Sequence, residues 1–515
     1  MHPGHDTEDK ATLPREPRRG VLTCAATGFL EGRPMIGLTK MRRRLDAANT
    51  GAPAAGRRVL VLGGGFGGVY ATLYLDQDLR DEEDVEIILI SDSNFLLFNP
   101  LIVEVATGGL ETNHIAQPIR SLSKGRRFRF VQAKVDHIDL DSRQVVTDHG
   151  AYAYDFLVIA LGSTTDYSTV PGVEAHAFPL KTLHDAVVLR EHVIAMFERA
   201  ARTPDPATRR ALLTFVVAGG GPSGVEYIGE LADLIRTTLR HQYPELLPDE
   251  VRLILVQSAA RLLPAIDERL AQIALRDLQR RGIEVRLNTR LTAAGPGWVQ
   301  LGTGDRLSTH TLVWTTGVKA NEVVASLPVE HDRVGRLIVN RTLALPGYPT
   351  VYAVGDTAHF VDARTGRAMP MLAQIAARQG THVAANIAAQ LTRHPPEPFE
   401  FHYLGNLTSL GSRSAVVDLL GWRMHGQLAS FVWRMVYVGK LIGFRTKVRV
   451  TTHWLINCSF GRDTSLLEPS RRPADSARPL VWGAAPAQPA GTARPASARL
   501  IDVSATLAHT EGGTS

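Results

Sequence analysis

From Arg57 to Leu62 the chain reads RRVLVL, a short apolar run that breaks at once into glycine. A run of this length, without polar alternation, predicts a strand covered on both faces, as in a parallel sheet. A helix-like stretch follows (VYATLYLDQDL), then a second apolar strand, VEIILISD, that ends at Asp92. The same order recurs: ALLTFVVAG as strand, a glycine turn, the amphipathic VEYIGELADLIRTTL, and VRLILVQSAARLLP with its strand ending at Gln257. Two further buried strands, in AYDFLVIALGSTTDY (Ala153 to Tyr167) and THTLVWTTGVKAN (Thr309 to Asn321), echo one another as the closing crossover of each unit. PTVYAVGDTAHF then predicts one more strand, and MPMLAQIAARQGTHVAANIAAQL a long helix. Strands alternating with helices at this spacing predict an α/β fold built from two doubly wound units.

Both turns carry glycine at G-x-G-x-x-G spacing: Gly63, Gly65 and Gly68, then Gly219, Gly221 and Gly224. The first glycine permits the tight strand-to-helix turn, the second lets a pyrophosphate approach the backbone, and the third lets helix close on strand. The helix N-terminus then faces the phosphates. One such turn is weak evidence, but two copies with strand before and helix after predict two dinucleotide sites. Asp92 stands where an acid could bond ribose hydroxyls, although Ser91 holds the place where that acid often falls, and Asp92 also reads as a turn residue. Gln257, at the matching place, can bond a hydroxyl without repelling a 2′-phosphate. NADH use with relaxed discrimination against NADPH is therefore expected, unless Gln257 is only a strand-end amide facing water. Asp356, after Gly355, suits sugar-alcohol hydroxyls at the mouth of a sheet and equally suits an ordinary helix cap.

Composition narrows the class. With 515 residues, 44% hydrophobic and 21% charged, the chain can bury at least two cores in water. Residues 1–56 and the Pro, Ala, Ser and Arg-rich end (466–515) lack periodicity and are expected to be disordered tails. Cys24 and Cys458 are the only cysteines, so no dithiol pair, disulfide framework or metal cluster is expected. The net charge of +6 suits an anionic surface or simply a basic proteome. The basic residues are dispersed and no groove-reading motif is evident, so nucleic acid is not expected as a partner. No apolar run reaches the ~18 residues of a membrane span.

Taken in order, Gly63 to Gly68, YDFLVIALGSTT, AGGGPSGVE, TTGVKAN, YAVGDTA and AQIAARQG resemble the two-dinucleotide flavoprotein reductases of the pyridine nucleotide-disulfide oxidoreductase type. They are similar above all to the type II NADH dehydrogenases (NADH:quinone oxidoreductases). FNPLIVEVATGGLE, SLGSRSAVVDLLGW and LIGFRTK extend that likeness over about residues 57 to 465, and the AQ-x-A element with the C-terminal block separates this subfamily from others. The resemblance implies FAD on the first turn, near Gly63, Gly65, Gly68, Asp92, Gly162, Gly355, Asp356 and Ala373. It implies NADH on the second, near Gly219, Gly221, Gly224, Gln257 and Gly317. The NADH domain (171–320) would be inserted in the FAD domain (57–170 and 321–400), with a membrane-associating C-terminal region (401–465). Glu226 matches a carboxylate that the family keeps near the nicotinamide, to orient the ring or assist proton movement, though a first-turn glutamate also suits the helix dipole. Gln374, as a catalytic residue, and Gln379 would meet the quinone head group, with Arg378 where the family often has Gln. The implied activity is hydride transfer from NADH to FAD and then two electrons to a membrane quinone, without proton pumping. The implied place is the cytoplasmic side of the cell membrane, as a peripheral protein of respiratory electron transfer.

At ~100° per residue, Leu428, Phe431, Val432, Met435, Val436, Gly439 and Ile442 fall on one arc of a helix spanning Gln427 to Phe444. Gln427, Ser430, Arg434 and Tyr437 fall opposite, and FRTKVRVTTHW adds Arg445, Lys447, Arg449 and an interfacial aromatic, Trp454. Such a helix suits an anionic membrane surface, or it packs on the body or on the second subunit of a homodimer. Two other functions fit the same nucleotide turns: a soluble NAD(P)H oxidase or ferredoxin-type reductase, and an NADH-sensing flavoprotein of slow turnover.

Overall fold

The computed structural model describes residues 56–466 apart from residue 404. Of the expected tails (1–56 and 466–515), residues 1–55 and 467–515 lie outside the described residues, and so does Cys24. The first unit opens with β1 (Arg57–Leu62), α1 (Phe66–Asp78), β2 (Val85–Ser91), α2 (Ile102–Ala106), β3 (Arg129–Gln132) and β4 (Phe156–Ile159). The chain then crosses on β5 (Ser163–Thr165) into a second unit of β6 (Ala177–Pro179), α3 (Leu183–Ala201), β7 (Thr214–Ala218), α4 (Pro222–Leu234), β8 (Arg252–Val256), β9 (Ile283–Arg286) and β10 (Thr311–Trp314). It returns on β11 (Val318–Ala320), which pairs antiparallel with β5 (Ser163↔Ala320, Thr165↔Val318). Outgoing and returning chain are thus hydrogen-bonded to each other, and Trp314 Nε1 fixes the crossing by donating to Asp166 O at 3.1 Å.

After the return, β12 (Tyr348–Ala353) slots beside β4, giving the order β12-β4-β1-β2-β3, parallel throughout, with the short strand Ala344–Leu345 antiparallel at the edge. The second sheet has the order β6-β10-β7-β8-β9, all parallel. In both, the glycine turn leaves the sheet where the strand order reverses, the crevice at which open α/β sheets bind ligands. Val59, Leu60, Val61 and Leu62 are fully buried, as are Phe215, Val216 and Val217, because helices or antiparallel ribbons cover both sheet faces.

The long helix α5 (Ala373–Leu391) lies against α1 and carries the first unit to its end. A three-stranded antiparallel sheet follows, β13 (Gly405–Ser409), β14 (Ala415–Leu419) and β15 (Trp422–His425), and then two helices, α6 (Gly426–Lys440) and α7 (Phe444–Phe460). The single helix expected over 427–444 is therefore two, broken at Leu441–Gly443, where Gly443 takes φ +86°. α6 packs through Ala429, Ser430 and Trp433, which are buried, and Arg434 of the polar arc donates to Ser412 O at 2.8 Å, while Gln427 of that arc is exposed. Its apolar arc faces out, with Leu428 65%, Phe431 60% and Met435 44% exposed.

Trp454 is not the interfacial residue that its place among basic residues suggested. It is 6% exposed and its Nε1 donates to Glu104 Oε2 on α2 at 2.5 Å. Trp433, Leu441, Val450 and Trp454 join the core that also holds α2, α3 and α4. At ~1.5–3 kcal/mol for each large apolar side chain buried, these contacts make the C-terminal region an integral wall of the molecule.

Candidate active-site cleft

The two glycine turns share one geometry. Gly63 and Gly219 hold φ of +108° and +116°, a region open to glycine and costly to other residues. A Cβ on Gly68 would strike the carbonyl of Gly63, and one on Gly224 that of Gly219, so in both copies helix and strand touch through bare backbone. Above Gly65 and Gly221, the N-caps of α1 and α4, no protein atom lies within 4 Å of the Cβ position. That open space over a helix N-terminus is the cradle a pyrophosphate needs, and any side chain there would fill it.

From the first turn a cleft of about 1600 Å³ runs along the mouth of the first sheet and under the second unit to the C-terminal region. It brings together Gly63, Gly65, Asp92, Gly162, Glu226, Gly355, Asp356, Ala373 and Gln374. Its size exceeds the ~300–1,000 Å³ of a single small-molecule pocket, in keeping with a dinucleotide and a reaction partner together. The Asp92 carboxylate is exposed at the end of β2 and makes no bond to protein among the described residues. Asp356 accepts from Ser163 Oγ at 2.5 Å and from Lys181 Nζ at 3.2 Å. Gly162 N donates to Thr357 Oγ1 at 3.1 Å, so the turn after β4 is tied to the loop carrying Asp356. Ser163 lies inside the YDFLVIALGSTT motif without being singled out by it, and Lys181 stands in no motif; the fold brings both to the aspartate.

The first turn of α5 presents Ala373 and Gln374 to the cleft, but Gln379 is placed beneath it. Five residues on a helix rotate a side chain by about 140°, so Gln374 and Gln379 cannot share a face. Gln379 is 1% exposed and its Oε1 accepts from Gly355 N at 2.7 Å, which makes it a brace for the Gly355–Asp356 loop; it does not line the cleft where a quinone was expected to meet it. Arg378, one turn from Gln374, does line the cleft. Facing it from α6 are Tyr437 and Lys440. Burial first, and the Arg378 guanidinium second, hold the Lys440 ammonium below the usual lysine range.

Glu226 opens onto the same cleft from the first turn of α4, and its Oε1 accepts from Ser409 N on β13 at 3.1 Å. Desolvation dominates and pushes its carboxyl up to about 8, the Ser409 bond opposes the shift, and Glu230 and Glu104 add to it. It is thus a proton-carrying group near neutrality.

On the second turn Gln257 is engaged at both ends: its Oε1 accepts from Gly220 N at 3.0 Å and its Nε2 donates to Arg261 O at 3.3 Å. The side chain therefore shapes the turn as well as standing at the strand end. Gly317, φ +76°, lies in the return crossing, where its carbonyl accepts from Asp166 N. A glutamate at position 257 keeps the acceptor for Gly220 and adds a charge. Gln257→Glu is expected to raise the NADH over NADPH preference in kcat/KM about tenfold, ~1.4 kcal/mol, and an unchanged ratio would show that this position does not set it.

The sequence profile of the pyridine nucleotide-disulphide oxidoreductase family matches residues 57–380, and that of the NDH2 C-terminal domain matches residues 403–463. Over 423 residues the chain is 33% identical to the type II NADH:quinone oxidoreductase Ndh of Mycobacterium tuberculosis, covering 79% of this chain and 89% of that protein. It is 32% identical over 419 residues to a probable NADH dehydrogenase of Dictyostelium discoideum, covering 79% and 91%. The fold superposes on NDH2 from Plasmodium falciparum, solved in complex with NADH, with a TM-score of 0.74 at 18% identity over 79% of this chain and 99% of that one.

Proposed function

Because the chain belongs to the type II NADH dehydrogenases, we propose that it is an FAD-dependent NADH:quinone oxidoreductase working at a membrane surface. The observation that carries this reading is the single cleft, lined at once by Glu226 of the second unit, Gln374 and Arg378 of the first, and Tyr437 and Lys440 of the C-terminal region. FAD, when bound, supplies the redox chemistry: hydride from nicotinamide in, two electrons to quinone out. The protein's part is to hold and orient. Gly65, the α1 N-terminus and Asp92 fit the pyrophosphate and ribose, and Asp356, kept in place by Ser163 and Lys181, fits the hydroxyls of the linking chain. Gly221 and the α4 N-terminus fit the phosphates of NADH.

Gln374 brings an uncharged donor and acceptor to the quinone carbonyl. Arg378 and Lys440 have no carboxylate partner among the described residues, and two unneutralised cations favour the oxyanion that develops as quinone takes electrons. Protonated Glu226 supplies the proton that a reduced quinone oxygen must gain. No described helix is long and apolar enough to cross a membrane. The exposed arc of α6, with Phe444 82%, Leu455 66% and Phe460 86% exposed along α7, instead suits insertion into the leaflet that holds the quinone, on the cytoplasmic side.

Anaerobic stopped-flow tests the assignment. Mixing the yellow holoprotein with NADH should bleach the flavin rapidly, and mixing the reduced protein with a soluble quinone should restore the absorbance within the turnover time. Bleaching without recovery would overturn the quinone half and leave an oxidase or a sensor.

A further inference from the structure

Beneath Glu226 lies a group of buried charges that binding and hydride transfer do not use. Glu230, one turn further along α4, is 5% exposed on its side chain and forms an ion pair with Arg462, itself 8% exposed. Arg462 belongs to the segment after α7. Its guanidinium also donates to Thr107 O at 3.1 Å and to Glu230 O at 3.3 Å, and its backbone N–H donates to Thr238 Oγ1 at 3.4 Å. Glu104 of α2, 6% exposed, completes the group and is held by Trp454 of α7. The C-terminal segment thus contributes both the cation and the indole that make two buried carboxylates tolerable. A buried charge that loses its partner is severely destabilised.

Each element packed around Glu226 contributes to its surroundings. α4 brings Glu230, α2 brings Glu104, β13 brings the Ser409 N–H, and α6 brings Trp433 and Tyr437. Arg434 of α6 and Arg462 act on Glu104 from the other side, and Asp233, paired with Arg281 at 2.6 Å, acts on Arg462. Of these, Glu230 and Glu104 repel a charge on Glu226; Arg462 is the cation paired with Glu230, and Arg434 and Arg462 together offset Glu104.

We propose that Glu230 and Arg462 are positioning residues for quinone reduction: the buried ion pair that the docked C-terminal segment forms beneath Glu226 fixes the charge that Glu226 experiences, and so when it holds its proton. The inference rests on the reading of Glu226 as the proton donor. It gives the C-terminal region a second task besides lipid contact, because undocking that segment would leave three neighbouring carboxyls without their buried guanidinium. Burial and Glu230 both raise the proton affinity of Glu104, and the two arginines oppose them, so the cluster as a whole answers to the cation.

The test is the pH profile of flavin reoxidation by a soluble quinone in holoprotein, which for the wild type should fall with a midpoint near pH 8 as Glu226 loses its proton. Glu230→Gln removes a repelling carboxylate and leaves Arg462 uncompensated, so the midpoint should move down by about one pH unit or more. In Glu230→Gln/Arg462→Met the pair is removed as a neutral whole, and the midpoint should return close to the wild-type value. Glu104→Gln keeps an acceptor for Trp454 Nε1, so its folding is spared, and it should move the midpoint down by a smaller amount. Unmoved midpoints with uniformly slower rates would overturn the proposal and reduce the pair to packing. A double variant that stays at the Glu230→Gln midpoint would overturn it as well. A wild-type midpoint that survives in Glu226→Gln would sink the proton-donor reading and this inference together, a pattern distinct from the other two.

Discussion

Replacing Glu226 with glutamine should slow reoxidation of the reduced flavin by quinone about 10²-fold, the lower end of what a positioned general acid contributes, while reduction by NADH stays near the wild-type rate. Glutamine has the same shape and can still accept from the Ser409 N–H, so the cleft wall is preserved. What it lacks is a transferable proton. With its carboxyl pushed up to about 8 by burial, Glu226 is protonated in roughly nine molecules of ten at pH 7. The wild-type acceptor step should therefore be fast below pH 8 and fall above it as the carboxyl ionises, whereas the Glu226→Gln step should be slow and flat. Single-turnover stopped-flow across pH 6 to 10 reads both half-reactions separately. An equal loss in the two halves would move Glu226 from proton donor to nicotinamide support, and a full-speed acceptor step would remove it from the chemistry.

Local patterns were legible and tertiary meetings were not. The strands, both glycine turns and α5 follow from runs of neighbouring residues, because a buried parallel strand and a tight turn impose their demands over a few positions. Asp356 could be singled out for the same reason, standing after Gly355 where a strand ends. Its partners Ser163 and Lys181 could not, since 193 and 175 residues of chain separate them from it. Gln379 shows where a motif misleads and geometry corrects it. The spacing from Gln374 already excludes a shared helix face, and the same arithmetic selects Arg378. Trp454 failed for a different reason. A helical wheel tells which face is apolar but not which face looks outward: on α6 the packed side holds Ala429 and Trp433 together with Ser430 and Arg434, and on α7 Trp454 turns into the same core. Glu104, Glu230 and Arg462 read as ordinary surface charges one by one. Only the docking of the last segment on α2 and α4 makes them a buried group.

The outward face of α6 carries the second large expectation. Leu428→Glu/Phe431→Glu should abolish flotation of the protein with anionic liposomes and leave turnover with a soluble quinone intact. Each of these side chains gains about 1.5–3 kcal/mol on leaving water, so losing both costs on the order of 3–6 kcal/mol, or 10²–10⁴-fold in partitioning. Arg445, Lys447 and Arg449 follow on α7, and at about 1 kcal/mol each near an anionic surface they should make binding to anionic vesicles salt-sensitive and stronger than binding to neutral ones. The soluble-quinone control matters because neither substituted residue lines the cleft, whereas Tyr437 and Lys440 on the same helix do. One helix thus exposes an apolar side and turns two polar side chains to the cleft, so that, with the apolar side in lipid as proposed, a quinone leaving the leaflet would meet the cleft without crossing water. If flotation survives the double substitution and the sedimenting mass halves instead, the face is covered by a second copy of the chain. The route from lipid to cleft would then have to run along α7, where Phe444, Leu455 and Phe460 remain exposed.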